Sequence, residues 1–154
     1  MNAYELREIH VLSKLNDAQL EQLFSHGDIV EYTSGQMIVT QRQKADAIYF
    51  LIEGSVGSFV TDAKCGQSPL RTSEAGSHFG ELGVLQNGIR TASVRAATRC
   101  RVFRLSSQSF TAILNEPGLA TPLLHAFARS MALRIAEITN RLAEAKSLKD
   151  AWMV

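Results

Sequence analysis

The residues with the most chemistry to offer in this 154-residue chain are Glu81 and Arg90. They lie nine positions apart in the runs Phe79-Gly80-Glu81-Leu82-Gly83 and Arg90-Thr91-Ala92-Ser93-Val94. A carboxylate accepts a hydrogen bond from a sugar hydroxyl, and a guanidinium takes two phosphate oxygens at once through its planar fork. Gly80 lets the main chain approach a ligand closely, and Gly83 permits packing beneath it. Amides at the start of a short helical turn there would favour an anion. The pattern suits a small ligand that is both anionic and hydroxylated, such as a ribose phosphate. Thr91 and Ser93, on one face of a period-two strand, add hydroxyls for a phosphate oxygen or a purine edge. A plain Glu81–Arg90 salt bridge is the structural alternative, but an ion pair needs no open backbone around it.

Three zones must position these groups. Residues 1–27 read as helical: Leu12, Leu15, Leu20 and Leu23 fall near helical spacing, and Asn16 with Gln19 forms a capping box that starts a helix at Asp17. Residues 28–105 form a series of short segments rich in β-branched and aromatic residues: 29–32, 37–40, 47–52, 56–60, 92–96 and 100–105. Turn signals separate them at Ser34-Gly35, Glu53-Gly54 and Cys65-Gly66. Residues 106–146 are helical again. Ser106 or Ser107 caps one helix, and Thr121-Pro122 starts a longer one with Leu124, Phe127, Met131, Ile135, Ile138 and Leu142 in a single apolar stripe. A tail follows at 147–154. The fold expected is α+β, mainly β: an antiparallel β-roll or jelly-roll barrel with N-terminal helices and a long C-terminal helix, all in one domain.

The formal charge of +1 offers no global basic field for nucleic acid or an anionic membrane. With 45% apolar and 20% charged residues, the composition is that of a soluble globular protein, and no run approaches the ~20 apolar residues needed to span a bilayer. Cys65 and Cys100 have neither zinc spacing nor a disulfide framework, which points to free thiols in a reducing cytoplasm. The histidines at 10, 26, 78 and 125 lack paired metal spacing, and no nucleophile–base pair suggests an enzyme.

The run Gly76-Ser77-His78-Phe79-Gly80-Glu81-Leu82, its distance to Arg90-Thr91-Ala92-Ser93-Val94, and the strand from Cys100 to Leu105 resemble the cyclic nucleotide-binding domain. That superfamily includes bacterial catabolite activator proteins, regulatory subunits of cyclic AMP-dependent protein kinase and cyclic nucleotide-gated channels. The resemblance covers about residues 10 to 145, and it makes 79–93 the phosphate-binding cassette. It implies that Glu81 binds the ribose 2′-hydroxyl and Arg90 the cyclic phosphate. Phe79, Gly80, Leu82 and Gly83 would shape the cassette, with Ala92 against the phosphate, Thr91 at a position that assists cyclic GMP, and Ser93 beside it. Thr139 and Asn140, on the last helix, would reach the purine. The ligand implied is cyclic AMP or cyclic GMP, with no other cofactor.

Two departures from the family stand out. The turn Gln41-Arg42-Gln43-Lys44-Ala45-Asp46 lacks the glycine that relatives often carry before the Tyr-Phe strand. Only about a dozen residues follow Leu142, too few for a helix-turn-helix, so direct DNA binding is not expected. The expectation is a cytoplasmic sensor acting on an effector protein, its C-terminal helix either pairing in a homodimer or lying as one amphipathic helix on its own barrel. The alternatives are the sensor portion of an activator-type transcription regulator, or a ligand-free dimerisation scaffold.

Overall fold

A computed structural model describes residues 2–153. Among the described residues, eight strands form two antiparallel four-stranded sheets. β1 (Asp28–Tyr32), β8 (Cys100–Ser106), β3 (Ala47–Glu53) and β6 (His78–Phe79) make one, in that spatial order. β2 (Met37–Val39), β7 (Ser93–Ala96), β4 (Ser55–Asp62) and β5 (Gly66–Glu74) make the other. The antiparallel jelly-roll architecture, flanked by helices at both ends, is the one expected.

Strand periodicity divides the core in two. Along β3, Ala47, Tyr49 and Leu51 point between the sheets, where they meet Val39, Val56, Val94 and Val102. The alternate residues Ile48 and Phe50 point outward, to Phe103, Leu105 and the helices. Covered on both faces, β3 is an almost continuous buried run.

The helices belong to the outer core. Residues 3–8 and 10–12 are 3₁₀ turns rather than one helix, and α1 (Asp17–Ser25) starts at the reciprocal Asn16–Gln19 capping box read from the sequence. After α3 (Ser107–Ile113), capped by Ser106, the last helix α4 begins at Pro117, not at Pro122, and runs to Trp152. The tail expected from residue 147 is therefore helical as far as Trp152. Pro122 lies inside α4 and cannot donate to the Gly118 carbonyl one turn earlier. The Gln19 side chain of α1 donates to that carbonyl at 3.1 Å, which satisfies the group and ties the first and last helices together.

The apolar stripe of α4 splits. Leu119, Leu123 and Phe127 are buried against the barrel, whereas Leu133, Ile135, Ile138 and Leu142 are exposed. β5 has no counterpart in the expected strands. It is an edge strand of mostly exposed residues, held by its pairing with β4. In the 41–46 turn, Arg42 itself takes a left-handed conformation (φ 71°), the one a glycine adopts without strain. No helix of the described residues is long and apolar enough to cross a membrane.

Candidate functional site

The cassette begins where β6 ends. Tyr49 pairs with Phe79 across the β3–β6 ladder and their rings stack at 5.2 Å. Gly80 then turns the chain through φ 86° into the short helix α2 (Glu81–Leu85). A Cβ on Gly80 would stand 2.8 Å from Arg90 Nη1 and 3.1 Å from the Ala47 carbonyl, so no other residue fits without displacing the arginine. A Cβ on Gly83 would come within 2.6 Å of that of Ala45.

Arg90, only 5% exposed, is fixed through both backbone and side chain. Its N–H donates to the Gln43 carbonyl at 2.8 Å, and its own carbonyl accepts from Arg42 at 2.9 Å. Nη1 donates to the Gly80 carbonyl at 2.7 Å, and Nη2 to the Ala47 carbonyl at 2.7 Å and Asp46 Oδ1 at 3.2 Å. A guanidinium has five N–H donors, so two are left for an incoming anion. The protein holds the fork in place before any ligand arrives.

Glu81 is 2% exposed and does not pair with Arg90. Its Oε1 accepts from Arg134 Nη1 of α4 at 3.1 Å, while His78 Nε2 stands 3.5 Å away without forming a hydrogen bond. Burial alone would push the Glu81 carboxyl up, but the nearby His78 ring, the residue's own backbone N–H and Arg134 outweigh it and hold it below the usual 4.5. The His78 ring lies 5.6 Å from that of Phe127 and 6.4 Å from that of Phe50. The carboxylate thus touches both the outer core and the last helix.

A cavity of about 220 Å³ opens over the cassette. Phe79, Gly80, Leu82, Gly83, Arg90, Thr91 and Ala92 line it. Glu81 does not line it, because Arg134 and His78 cover the carboxylate. Ser93 is also absent from the wall. Thr91 lies outside β7, so the period-two argument that put both hydroxyls on one face does not reach it. Ser93 is buried, its Oγ accepting from the Gln41 N–H at 2.9 Å. Thr139 and Asn140 are exposed beyond the cavity, with the Thr139 hydroxyl donating to the Ile135 carbonyl at 2.8 Å. The α4 residue that reaches the cassette is Arg134, one turn and more before them, and β5 adds Arg71. Sequence reasoning missed both. The one available signal for Arg134 was a long side chain on the inner face of α4, one heptad after the buried Phe127. Trp152, 88% exposed at the end of α4, lines neither this cavity nor the one beside it.

The cavity is smaller than the ~300–1,000 Å³ of typical small-molecule pockets. A second cavity of about 420 Å³ adjoins it, and Arg71, His78 and Arg134 line both.

A family model for the cyclic nucleotide-binding domain matches residues 29–116. The cAMP-activated global transcriptional regulator CRP of Salmonella typhimurium is 30% identical over 138 residues, which cover 83% of this chain and 66% of that protein. The chain therefore spans just under two thirds of that relative. Among solved structures, the regulatory subunit of a cAMP-independent protein kinase A from Trypanosoma brucei superposes with a TM-score of 0.71 at 26% identity, over 81% of this chain and 44% of that one. The Thermus thermophilus catabolite activator protein shares the fold with a TM-score of 0.77 at 23% identity, over 86% and 61% of the two chains.

Proposed function

The chain belongs to the cyclic nucleotide-binding domain family, and on that premise we propose that it is a cyclic nucleotide sensor whose ligand alters the contacts of its last helix. The observation that carries this reading is the prepositioned Arg90 fork, with two donors to spare, facing a cavity over open cassette backbone. Arg90 takes the cyclic phosphate. The main chain around Gly80, Leu82 and Gly83 lies along the sugar and phosphate, with Ala92 small enough to admit the phosphate and Thr91 at its rim. Glu81 takes the ribose 2′-hydroxyl.

That last contact makes the site a switch. Arg134 holds the Glu81 carboxylate in this structure, so a ribose hydroxyl must displace it or share it. Displacement frees α4 at the point where its packing against the barrel gives way to exposed length. The ligand then shifts the balance between two helix positions by its differential contacts with each. The exposed Leu133, Ile135, Ile138 and Leu142 supply the surface that reads the shift, by pairing with a second copy of this chain or by docking an effector protein. The site binds rather than reacts.

Isothermal titration against cyclic AMP and cyclic GMP tests the reading. Saturable heat at micromolar ligand, lost in Arg90→Ala, supports it. No heat with either nucleotide sinks it.

A further inference from the structure

The cavity beside the cassette, at about 420 Å³, has the volume of an ordinary small-molecule pocket, and three parts of the chain converge on it. Arg129, Ser130, Arg134 and Glu137 recur at helical spacing, so one polar stripe of α4 runs along a wall. Arg71 of β5 stands on another. His10 and Lys14 come from the second 3₁₀ turn and the residues just after it. That segment is docked in place: the His10 N–H donates to the Gly76 carbonyl at 2.8 Å, and a Cβ on Gly76 would stand 2.9 Å from His10 Nε2. The charges of the cavity do not balance. Among the described residues, the exposed side chains of Lys14, Arg71 and Arg129 make no ion pair and no hydrogen bond. The one carboxylate on the wall, Glu137, is held by Arg141 at 2.6 Å. His78 also lines the cavity, with its side chain 8% exposed and its Nε2 without a hydrogen-bond partner. Exposed cations alone make a solvated face. A buried ring nitrogen left unpartnered among them is a group that a bound anion would satisfy.

We propose that this cavity is a second site, which binds a small ligand carrying two adjacent phosphates through Lys14, Arg71 and Arg129, and that Arg134 couples it to the cassette. A single phosphate carries about −1.5 to −2 charges, too few to offset three cations, and a pyrophosphate group matches them more closely. Free pyrophosphate and the diphosphate of a nucleotide present that same group. The coupling rests on the cyclic nucleotide reading above. A ribose that takes Glu81 releases Arg134, which lines both cavities and then serves the second as a fourth cation. An anion that draws Arg134 toward itself frees Glu81 for the ribose in turn. Each ligand therefore tightens the other by the same factor.

The test is calorimetric titration of the full chain with pyrophosphate, ADP and orthophosphate, without and with saturating cyclic AMP. It is repeated on the double variant Lys14→Ala/Arg129→Ala, two exposed positions outside the cassette, checked for folding by circular dichroism. Pyrophosphate is expected to saturate without nucleotide, at least about tenfold more tightly than orthophosphate. ADP matching pyrophosphate supports a nucleotide diphosphate as the ligand, and ADP silence supports the free anion. Cyclic AMP should tighten pyrophosphate binding by at least about fivefold. The double variant should lose pyrophosphate binding and keep the parent affinity for cyclic AMP. Pyrophosphate binding that survives the double variant, or that competes with cyclic AMP, overturns the site, since the anion then sits elsewhere or on Arg90. Pyrophosphate silence while cyclic AMP binds overturns this inference and leaves the sensor intact. Pyrophosphate binding unmoved by bound cyclic AMP overturns the coupling. Pyrophosphate binding to a chain that takes no cyclic nucleotide keeps the second site and overturns the sensor, with the coupling.

Discussion

Replacing Arg134 with glutamine should make the protein bind cyclic AMP more tightly. The Glu81 side chain is 2% exposed and that of Arg134 30%, so their contact lies between two limits. Removing one partner of a fully buried ion pair costs about 3–5 kcal/mol, and an exposed pair is worth about 0–1 kcal/mol. Discounted for the wet side of the arginine, roughly 1.5 kcal/mol is a reasonable magnitude for this contact. The ligand-free state of the variant loses that stabilisation, so its melting temperature should fall by roughly 3–6 °C. Binding no longer has to break the contact, and the same energy reappears as about a tenfold gain in affinity. Titration calorimetry with parallel thermal melts gives both numbers. Arg141→Gln on the same helix, an exposed site, serves as the control and should change neither. A lowered melting temperature with unchanged or weaker cyclic AMP binding would refute the reasoning, since Arg134 would then stay on Glu81 in the bound state.

Arg90→Ala should weaken nucleotide binding by at least roughly tenfold (~1.4 kcal/mol). It should also cost about 1–3 kcal/mol of stability, because the Gly80 and Ala47 carbonyls lose their donor; a denaturant melt alongside the titration separates the two effects. The Glu81 carboxyl sits lower in the folded chain than in the unfolded one, so its contribution to stability is present above about pH 4.5 and is lost as pH falls through the folded value. Thermal melts from neutral pH down to about pH 3 should show this loss, and Glu81→Gln should flatten it. Ile138→Glu on the exposed stripe of α4 should leave the fold and nucleotide binding unchanged while lowering the sedimentation coefficient of a helix-paired dimer; an identical coefficient for the two proteins removes the helix pairing.

The barrel was legible because its strands are buried, and burial leaves a pattern. β3 is apolar from Ala47 to Ile52, β8 buries Cys100, Val102, Phe103 and Leu105 around two arginines, and each expected segment lies within two residues of a real strand. β5 was not legible, since Gln67, Pro69 and Arg71 neither alternate nor bury, and it is a strand through pairing with β4. In the site, Gly80 and Gly83 were readable from local geometry and Arg90 from its chemistry. The state of Glu81 was not, because its partner lies fifty-three residues away on a helix whose rotational register a sequence pattern cannot fix. A shift of a few residues along such a helix changes the face presented, so the sequence could not bring Arg134 to the cassette. Pro122 misled for a related reason: a proline marks a helix start unless another element satisfies the carbonyl it orphans, as Gln19 does here.

The length of α4 has a mechanical consequence. The last fully buried residue of the helix is Phe127, and Arg134 is the one that grips the cassette. From Arg134 to Trp152 the helix extends by roughly 27 Å at 1.5 Å per residue. A tilt of about 10° at Arg134 would carry the far end roughly 5 Å sideways, about one helical turn's worth of travel. A hydroxyl moving a guanidinium by a bond length at one end could therefore change which side chains meet at the other. The helix is a lever arm, and Glu81 holds it close to its fulcrum.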